Sequence, residues 1–379
     1  MACIELTHIS KQFRKYFALD DVSFQVNDKE FFVLFGPTGA GKTTVLKTIA
    51  GIESPDEGNV KIDNEIVNLI EPAYRNVSMV FENYALYPHF SVYDNIASPM
   101  RSPLHKTDEE TIHKEVHRTA AMLKIEHLLD RLPSQISNGQ KQRVAIGRCL
   151  VRKPNVFLMD EPLAHLDAKL RHFMRAELKE MQANFDTTTI YVTHDYLEAL
   201  SLGNRIAVIN RGQIEQIGTA NEVYYTPVNQ FTARLFGEPE INIFGIELIE
   251  CENGPKIKML NNEHFFDLEP DVVKVLSEQN VHDLNLGIRG TCISYSFAKE
   301  EDNFFDGTVY SLEPIGNKSI LIVDIDGERI RIIAPNDLHA ELDSPIFLKF
   351  DLKKALFFDR TSEEFIIRHN QAHYIGGLI

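Results

Sequence analysis

Residues 36–43 carry the motif G-x-x-x-x-G-K-[ST], which is typical of loops that bind phosphate groups. The glycines of such a loop allow successive backbone N–H groups to turn toward one point, and the start of the following helix adds its positive dipole end. The lysine can reach terminal phosphates, and the threonine hydroxyl can ligate Mg²⁺. We therefore predict that the chain binds a nucleoside triphosphate through Gly36, Pro37, Thr38, Gly39, Ala40, Gly41, Lys42, Thr43 and Thr44.

The segments on either side of this loop have the composition of a strand and a helix. Residues 31–35 form an apolar run, and residues 42–50 are helix-like. A position between a buried strand and the start of a helix is the context that the phosphate-binding motif requires. Many classes of nucleotide-binding protein share such a loop, so the class of this protein depends on the rest of the chain.

Four further segments follow in order: Ile136-Ser137-Asn138-Gly139-Gln140 with residues 141–148, an apolar run at 155–161 that ends in Asp160-Glu161, Leu163-Ala164-His165-Leu166-Asp167, and a β-branched run at 187–193 before His194. The last run predicts a buried strand. Together the four segments resemble the signature, the Walker B segment, the D-loop and the switch histidine of ATP-binding cassette (ABC) proteins. Four motifs in the family's order are far more specific than any one of them alone.

The resemblance implies a role in ATP hydrolysis for each polar residue. Asp160 is expected to hold the Mg²⁺ shell, Glu161 to polarise the attacking water, and His194 to contact the γ-phosphate. Lys42 and the backbone amides of the loop are expected to offset the charge on the phosphate oxygens. Phosphoryl transfer to water needs positioning and charge neutralisation more than covalent catalysis. ATP and Mg²⁺ are therefore the predicted substrate and cofactor.

The signature residues Ser137, Asn138, Gly139 and Gln140 are predicted to bind the nucleotide of a second cassette. They belong to a helical arm that is separate from Lys42, and the resemblance implies a head-to-tail dimer in which they complete the partner's site. The sequence thus predicts a second ABC ATPase subunit, either the same chain or a paralogue.

An aromatic side chain near the N-terminus is predicted to stack on the adenine base. Residues 11–19 resemble the ABC segment that has this role, and Phe13 is the candidate. Tyr16 or Phe17 would substitute if the register differs, and Phe13 could also be an ordinary core aromatic. Stacking contributes about 0.5–1.5 kcal/mol beyond burial and gives little base selectivity.

Glu82 stands where ABC proteins have the glutamine of the Q-loop. A carboxylate can ligate Mg²⁺, so Glu82 is a candidate catalytic and metal-binding residue together with Thr43 and Asp160. It also adds a negative charge near the γ-phosphate, which costs on the order of 3 kcal/mol at roughly 5 Å and an effective dielectric constant near 20.

Asn138 replaces the first glycine of the signature, and His165 stands where small or amide residues are usual in the D-loop. Because Asn tolerates a left-handed backbone better than most residues, the signature turn is expected to be kept. In a homodimer every composite site would carry both Glu82 and Asn138, whereas a different second cassette would separate them. A heterodimer and a homodimer are therefore both open, as is a regulatory subunit that binds ATP with little or no turnover.

Composition limits the class of protein further. A chain of 379 residues is long for one core, so two domains are expected. The formal net charge of −16 argues against a nucleic-acid partner. The sequence has no run of eighteen apolar residues and no signal peptide, so we expect it not to cross a membrane. Its four scattered cysteines favour reduced thiols.

The predicted fold is an α/β P-loop NTPase, the ABC cassette, with a helical insertion and a C-terminal all-β, OB-like regulatory domain. The cassette is expected over residues 1–236. Its helical subdomain is expected at about 84–153, where apolar residues recur at helical spacing between 109 and 132. Residues 237–379 change to short alternating strands, such as 319–325 and 329–333, and are expected to regulate and to dimerise.

The C-terminal segments at 286–289, 313–316 and 356–359 resemble the regulatory (TOBE-type) domain of sugar-importer ATPases of the maltose and glycerol-phosphate types. An importer implies two transmembrane permease subunits and, indirectly, a solute-binding protein, with this chain peripheral to the cytoplasmic face of the inner membrane. Residues 83–96 resemble the ABC surface that receives a permease helix, although local packing would equally explain their aromatics.

The transported solute cannot be read from these motifs. Importers of polyamines, metals and oxyanions have related cassettes, and only the C-terminal resemblance favours a carbohydrate. ABC proteins of translation or DNA repair are disfavoured because they carry two cassettes or a long coiled-coil insertion. Exporter ATPases are disfavoured because their cassettes are usually fused to membrane helices.

Overall fold

The computed structural model describes residues 2–103, 107–152, 154–164, 166, 168–182, 187–251, 254–259, 265–268, 270–279, 283–298 and 305–368. The chain forms two compact units, Met1–Ala220 and Asn221–Ile379. Within the described residues, no helix is long and apolar enough to span a membrane.

The strands of the first unit are β1 (Ile4–Phe13), β2 (Tyr16–Val26), β3 (Phe31–Phe35), β4 (Glu57–Ile62), β5 (Glu65–Ile66), β6 (Val77–Val80), β7 (Val156–Asp160), β8 (Thr188–Thr193), β9 (Arg205–Asn210) and β10 (Gln213–Gly218). Its helices are α1 (Lys42–Ala50), α2 (Val92–Ala97), α3 (Glu109–Met122), α4 (Asn138–Leu150), α5 (Ala168–Gln182) and α6 (Tyr196–Leu202). One described sheet has the order β2-β1-β4-β5 and the other the order β10-β9-β3-β8-β7-β6.

The second of these sheets carries the functional segments. Its strands β9, β3, β8, β7 and β6 pair in parallel, and every residue of β3, β7 and β8 is buried. Strands that are buried on both faces need continuous apolar or β-branched runs, as these three have. The carboxyl ends of parallel strands lie at one edge, which is where open α/β sheets bind ligands. The cassette fold predicted from the sequence is confirmed.

The helical insertion is also confirmed. Asp108 caps α3 by accepting the Thr111 N–H, and the helix buries Ile112, Val116 and Ala120 on one face. The left-handed backbone considered for Asn138 is not what the structure has. Asn138 is the first residue of α4 and does not have a positive φ angle. Ser137 occupies the N-cap position, so the residue after it adopts the helical conformation.

The strands of the second unit are β11 (Asn242–Cys251), β12 (Gly254–Met259), β13 (Phe265–Asp267), β14 (Leu284–Ile288), β15 (Ile293–Ser296), β16 (Phe305–Pro314), β17 (Lys318–Ile325), β18 (Glu328–Pro335), β19 (Pro345–Phe350), β20 (Leu356–Asp359) and β21 (Phe365–Arg368). Its helices are α7 (Ala220–Tyr225), α8 (Gln230–Leu235) and α9 (Pro270–Gln279). The described sheet orders are β13-β12-β11-β14-β20-β21 and β15-β19-β16-β17-β18. Apolar residues of both antiparallel sheets share one core, consistent with the OB-like domain expected here.

The second unit begins earlier than the predicted boundary at residue 236. The segment that holds α7 and α8 pairs with the residues at the start of β21. The Phe365 N–H donates to the Val228 carbonyl at 2.9 Å, and the Gln230 N–H donates to the Glu363 carbonyl at 2.9 Å. These partners are more than a hundred residues apart in the sequence. The amino-acid composition around residue 236 therefore could not predict this pairing.

Candidate functional site

A cavity of about 590 Å³ lies at the carboxyl edge of the parallel sheet. It brings together the phosphate loop, the residue after β7, the residue after β8 and the hairpin of β1 and β2. Its described lining consists of Phe13, Tyr16, Ala18, Thr38, Gly39, Gly41, Lys42, Thr43, Thr44, Glu82, Glu161, Ala164 and His194. Most of the residues that the sequence predicts for one nucleotide site therefore share one cavity.

The glycines of the loop are required by its backbone. Gly41 has φ 107°, and a Cβ there would lie 2.4 Å from the Ala18 carbonyl oxygen. A Cβ on Gly36 would lie 2.2 Å from the Ile209 carbonyl oxygen. Both distances are well below van der Waals contact. The loop is held at its centre by the Gly212 N–H, which donates to the Ala40 carbonyl at 2.9 Å.

Lys42 is buried at the base of the loop, with 4% of its surface exposed. Its Nζ donates to the carbonyls of Gly36 and Pro37 at 3.0 Å each and lies 3.3 Å from Glu161 Oε1. Because the two carbonyls have no formal charge, Glu161 is the acidic partner among these three contacts of the ammonium. The Lys42 ammonium is thus fixed between the phosphate loop and Glu161.

Glu161 connects the loop to the end of β8. Its Oε2 lies 2.7 Å from His194 Nδ1 while its Oε1 faces Lys42. The backbone of Glu161 has φ 42°, in the left-handed region, and its N–H donates to the Val192 carbonyl at 3.1 Å. Non-glycine residues in this region cluster at functional sites. A carboxylate between a lysine and a histidine can orient a water molecule or accept its proton.

Asp160 lies beneath the loop, with 5% of its surface exposed, and its Oδ1 accepts a 3.0 Å hydrogen bond from Thr43 Oγ1. Burial raises the pKa of its carboxyl, and the nearby Glu161 and Glu82 carboxylates add to the effect, while the Thr43 hydrogen bond opposes it. A buried carboxylate beside further carboxylates, with a hydroxyl next to it, is a hard-oxygen donor set that fits Mg²⁺.

No group of three or more His, Cys, Asp or Glu side chains is spaced to hold a metal ion in the described part of the chain. Mg²⁺ is usually bound by one or two carboxylates together with substrate phosphates and water. Thr43, Asp160 and Glu82 could therefore hold this ion when phosphate oxygens complete its shell.

Two aromatic side chains also line the cavity. Phe13 and Tyr16 pair across the β1–β2 hairpin and are 42% and 56% exposed, so Phe13 is not a core aromatic. Tyr16 Oη donates to the Gly39 carbonyl at 3.0 Å, which ties the hairpin to the loop. Phe17 is exposed but is not part of the described lining. Stacking on a base is thus open to Phe13 or Tyr16.

The signature residues lie elsewhere. Ser137 caps α4 in a capping box with Gln140, and the four predicted residues from Ser137 to Gln140 are not in the described lining of the cavity. A Cβ on Gly139 would lie 2.8 Å from Leu170 Cδ2, so a glycine lets α4 approach α5 closely. His165 and Asp167 of the D-loop segment lie outside the described residues.

Sequence reasoning missed Glu198, a carboxylate in the first turn of α6 with 3% of its surface exposed. Its Oε2 accepts hydrogen bonds from Tyr191 Oη at 2.8 Å and from Thr193 Oγ1 at 2.7 Å. Thr193 Oγ1 also accepts the Asp195 N–H at 3.0 Å, so the network holds the backbone on both sides of His194. The alternation of Tyr191 and Thr193 on one face of β8 was the available signal.

The Glu198→Ala substitution is expected to destabilise the first unit. It leaves the Tyr191 and Thr193 hydroxyls buried without their acceptor, at about 1–3 kcal/mol each. We expect a loss of about 2–4 kcal/mol and a fall in melting temperature of roughly 5–15 °C. Differential scanning calorimetry of the purified chain measures the change in melting temperature. A fall of less than about 2 °C would show that the network contributes little.

Glu198→Gln is the matched control because its side-chain oxygen can accept both hydrogen bonds. Burial raises the pKa of the Glu198 carboxyl, so the folded state holds the proton more tightly than the unfolded state. The stability contributed by that proton is present at acid pH and is lost as pH rises through the folded-state pKa. The unsubstituted chain should therefore lose stability as pH rises through the folded-state pKa of Glu198, and Glu198→Gln should not. The difference between the melting temperature of Glu198→Gln and that of the unsubstituted chain should increase accordingly.

Comparison with known proteins extends over nearly the whole chain. An ABC transporter family model matches residues 19–164. The chain is 40% identical to the trehalose/maltose import ATP-binding protein MalK of Thermococcus litoralis over 374 residues, which is 96% of this chain and 99% of that protein. It is 38% identical to the uncharacterized ABC transporter ATP-binding protein YurJ of Bacillus subtilis, over 96% of this chain and 99% of that protein. It is 45% identical to the sn-glycerol-3-phosphate import ATP-binding protein UgpC of Bartonella bacilliformis, over 72% of this chain and 79% of that protein.

Solved structures of ATP-binding cassettes match a little over half of the chain. A dimeric ATP-binding cassette in a post-hydrolysis state with ADP and Pi is 29% identical, with a TM-score of 0.51 over 57% of this chain and 98% of that chain. The cbiO1 protein of Clostridium perfringens, part of an ABC transporter complex, is 27% identical, with a TM-score of 0.53 over 58% of this chain and 89% of that chain. From the full-length likeness to MalK and YurJ, the chain belongs to the ATP-binding proteins of ABC transporters.

Proposed function

We propose that the chain hydrolyses ATP as the peripheral, cytoplasmic subunit of an ABC importer that takes up a carbohydrate. The observation that carries the proposal is the Glu161 carboxylate, which lies 3.3 Å from Lys42 Nζ and 2.7 Å from His194 Nδ1 beside the phosphate loop. A base, a cation and a histidine converge where a terminal phosphate would be bound, and hydrolysis needs this positioning and charge compensation.

Each side chain then has a distinct part. Lys42 and the N–H groups of the loop bind the phosphate oxygens, Glu161 orients and deprotonates the attacking water, and His194 contacts the γ-phosphate. Thr43 and Asp160, with Glu82 as a further oxygen ligand, would hold Mg²⁺, which would supply positive charge beside the phosphate oxygens. Phe13 or Tyr16 stacks on the adenine.

Glu82→Gln is expected to increase the affinity for Mg-ATP. Glu82 lines the cavity and is exposed to solvent, so the repulsion that one carboxylate exerts on the γ-phosphate lies between the values for water and for a protein interior, about 1–3 kcal/mol. The dissociation constant, measured by isothermal titration calorimetry, should fall by roughly 5- to 150-fold. A glutamine oxygen can still ligate Mg²⁺.

Glu53→Gln, which removes an equal charge outside the described lining of the cavity, is the control and should change the affinity less than twofold. A tenfold loss of affinity in Glu82→Gln would contradict the repulsion argument and would instead show that the metal ion needs the Glu82 carboxylate.

The signature at the start of α4 supports a dimer of cassettes. Ser137, Asn138 and Gly139 are outside the described lining of their own chain's cavity, so a role in nucleotide binding requires another subunit. The partner is a second copy of this chain or a paralogue. In the heterodimer, Glu82 and Asn138 of this chain would belong to different composite sites.

A docking surface for the permease is supported by Tyr87 and Phe90. Their rings are 5.2 Å apart and 50% and 44% exposed, so local packing does not account for them. The loop that bears them is held by side-chain hydrogen bonds: the fully buried Asn95 amide donates to the carbonyls of Tyr87 and Phe90 at 3.1 and 3.0 Å. The Arg148 guanidinium lies 5.4 Å from the Tyr87 ring centroid. Exposed aromatics on a fixed backbone are typical anchors of an interface.

The proposal of a carbohydrate substrate rests on the relatives. Those that match over most of this chain include import proteins for trehalose/maltose and for sn-glycerol-3-phosphate. Their likeness extends into the second unit, which consists mainly of β-strands. The cassettes of known structure are shorter and match only a little over half of this chain.

The test is to isolate the tagged chain from native membranes in mild detergent and to determine its partners and their copy numbers by mass spectrometry. Two copies with two permease chains support a homodimeric importer, and one copy beside a second cassette supports the heterodimer. Recovery with no membrane subunit would overturn the importer proposal. Tyr87→Ser with Phe90→Ser should release the permease, whereas Tyr74→Ser, at an exposed tyrosine of the same unit, should not.

A further inference from the structure

A second cavity, of about 240 Å³, lies wholly within the second unit. It is enclosed by α7, by the ends of β14 and β21, and by the turn before β20. None of the residues of the ATP cavity takes part in it. The side chains that bear on its chemistry are Tyr224, Tyr225, Arg289, Thr291, Lys354 and Arg368.

Two of its basic side chains are fixed by the tyrosines of α7. The Arg289 guanidinium lies 3.8 Å from the Tyr224 ring centroid, and the Arg368 guanidinium lies 4.5 Å from that of Tyr225. The two rings are 4.8 Å apart and nearly perpendicular. Adjacent rings thus each hold one guanidinium group of the same cavity. Arg368 is 4% exposed, so its charge is removed from water.

Several groups act on the Arg289 charge. Burial lowers the pKa of Arg289, the neighbouring Tyr224, Cys292 and Tyr225 raise it, and Arg368 lowers it by a smaller amount. Lys354 brings a third positive charge to the cavity; its ammonium is half exposed and lies 3.1 Å from Asp351 Oδ2. The described lining includes three basic residues and no acidic one. Three basic side chains that line one cavity favour the binding of an anion there.

A purely structural role explains only part of this arrangement. Arg289 donates to the Phe236 carbonyl and, at 2.8 Å, to the Tyr224 carbonyl, so it anchors the segment with α7 and α8. Those carbonyls carry no formal charge and leave the guanidinium charge in place. The two hydrogen bonds of Arg289 do not explain why the Lys354 side chain and the Thr291 hydroxyl line the same cavity.

We propose that this cavity binds a small oxyanion, either free phosphate or the phosphate group of a small organic monoester. Guanidinium groups match the oxygens of phosphate with paired N–H donors, and an ammonium and a hydroxyl add single hydrogen bonds. The tyrosine rings leave an apolar wall for a small substituent. The inference goes beyond the proposed function and does not depend on it.

The site gives the anion a way to influence the chain. Tyr224 and Tyr225 belong to α7, which begins two residues after β10, the last strand of the first unit. An anion held by Arg289, Arg368 and Lys354 would strengthen the attachment of α7 to the β-sheets of the second unit. The segment that leaves the cassette would therefore be ordered by ligand.

The test is isothermal titration calorimetry of the full chain, saturated with ADP so that the phosphate loop is occupied, with inorganic phosphate, methyl phosphate and sulfate in separate titrations. We expect one anion per chain. Affinity for methyl phosphate above that for inorganic phosphate would identify an organic monoester as the ligand, and equal or weaker affinity would identify free phosphate. No binding of any of the three would overturn the proposal.

Adjacent lysines provide a matched pair of variants. Lys354→Gln should weaken binding by about threefold or more, because it removes an ammonium that contributes to holding the anion and that is half exposed. Lys353→Gln removes the same charge next to it, outside the described lining of this cavity, and should leave binding unchanged. Equal effects of the two substitutions would overturn the proposal.

Arg368→Gln should weaken binding by roughly tenfold or more, since hydrogen bonds to charged groups are among the strongest. Its circular dichroism spectrum and melting curve show whether it is folded. If it is not folded, the lysine pair decides the question. If an anion bound at the ATP site and not at this cavity, Lys354→Gln would leave its affinity unchanged. A failure of the ATP-binding proposal can therefore be distinguished from a failure of the anion-site proposal.

Discussion

Replacement of Glu161 by glutamine is expected to lower the steady-state rate of ATP hydrolysis by about 10²- to 10⁴-fold, the usual contribution of a positioned general base. In the structure the carboxylate contacts His194 through one oxygen and Lys42 through the other. Glutamine keeps the shape and one acceptor but cannot take a proton from water. The rate is measured by phosphate release from the purified complex.

The same variant should bind ATP at least as tightly as the unsubstituted chain. The substitution removes a negative charge 3.3 Å from Lys42 Nζ, so the ammonium is directed more fully to the phosphates. Glu110→Gln, on the exposed side of α3, is the control for loss of a carboxylate and should hydrolyse ATP normally. A Glu161→Gln complex that retained more than a third of the rate would assign the base to another residue.

Lys42→Ala is expected to weaken ATP binding by roughly 30-fold to several thousand-fold, which corresponds to about 2–5 kcal/mol for one member of a buried charge pair. Lys42 is the buried cation of the loop, and its position is fixed by the Gly36 and Pro37 carbonyls. The change also leaves Glu161 without its nearest cation, so repulsion between this carboxylate and the phosphates increases. Calorimetric titration with Mg-ATP measures the loss.

Lys47→Ala is the control for this prediction. Lys47 lies on the same helix, α1, but outside the described lining of the cavity, and its removal should change the affinity by less than about threefold. If Lys42→Ala bound Mg-ATP as tightly as Lys47→Ala, the loop would not be the principal phosphate site.

The position of the site could be predicted because the residue types of three segments are typical of buried strands. Runs of apolar or β-branched residues end at the phosphate loop, at Asp160 and at Thr193, and parallel strands bring such ends to one edge. The hairpin likewise brings Phe13 and Tyr16 to one place, although the sequence did not decide which of them faces the ligand.

The parts that the sequence did not predict depend on particular contacts between distant residues. The pairing of Val228 with Phe365 moves the second unit's start ahead of residue 236, and no local composition reports such a pair. Glu198 looks like an ordinary helix glutamate until α6 packs on β8 and buries it against two hydroxyls. Arg289 and Arg368, nearly eighty residues apart in sequence, meet only in the folded β-sheets.

The central claim is that ATP hydrolysis at this site energises solute import, and uptake in cells tests it most directly. The chromosomal copy is deleted, and cells that carry the unsubstituted chain or Glu161→Gln are assayed for accumulation of labelled trehalose, maltose and glycerol phosphate. We predict that accumulation of at least one of these solutes is lost on deletion, restored by the unsubstituted chain and not restored by Glu161→Gln. Equal restoration by Glu161→Gln would contradict the claim for the site, and unchanged uptake of all three solutes on deletion would contradict the assignment to carbohydrate import.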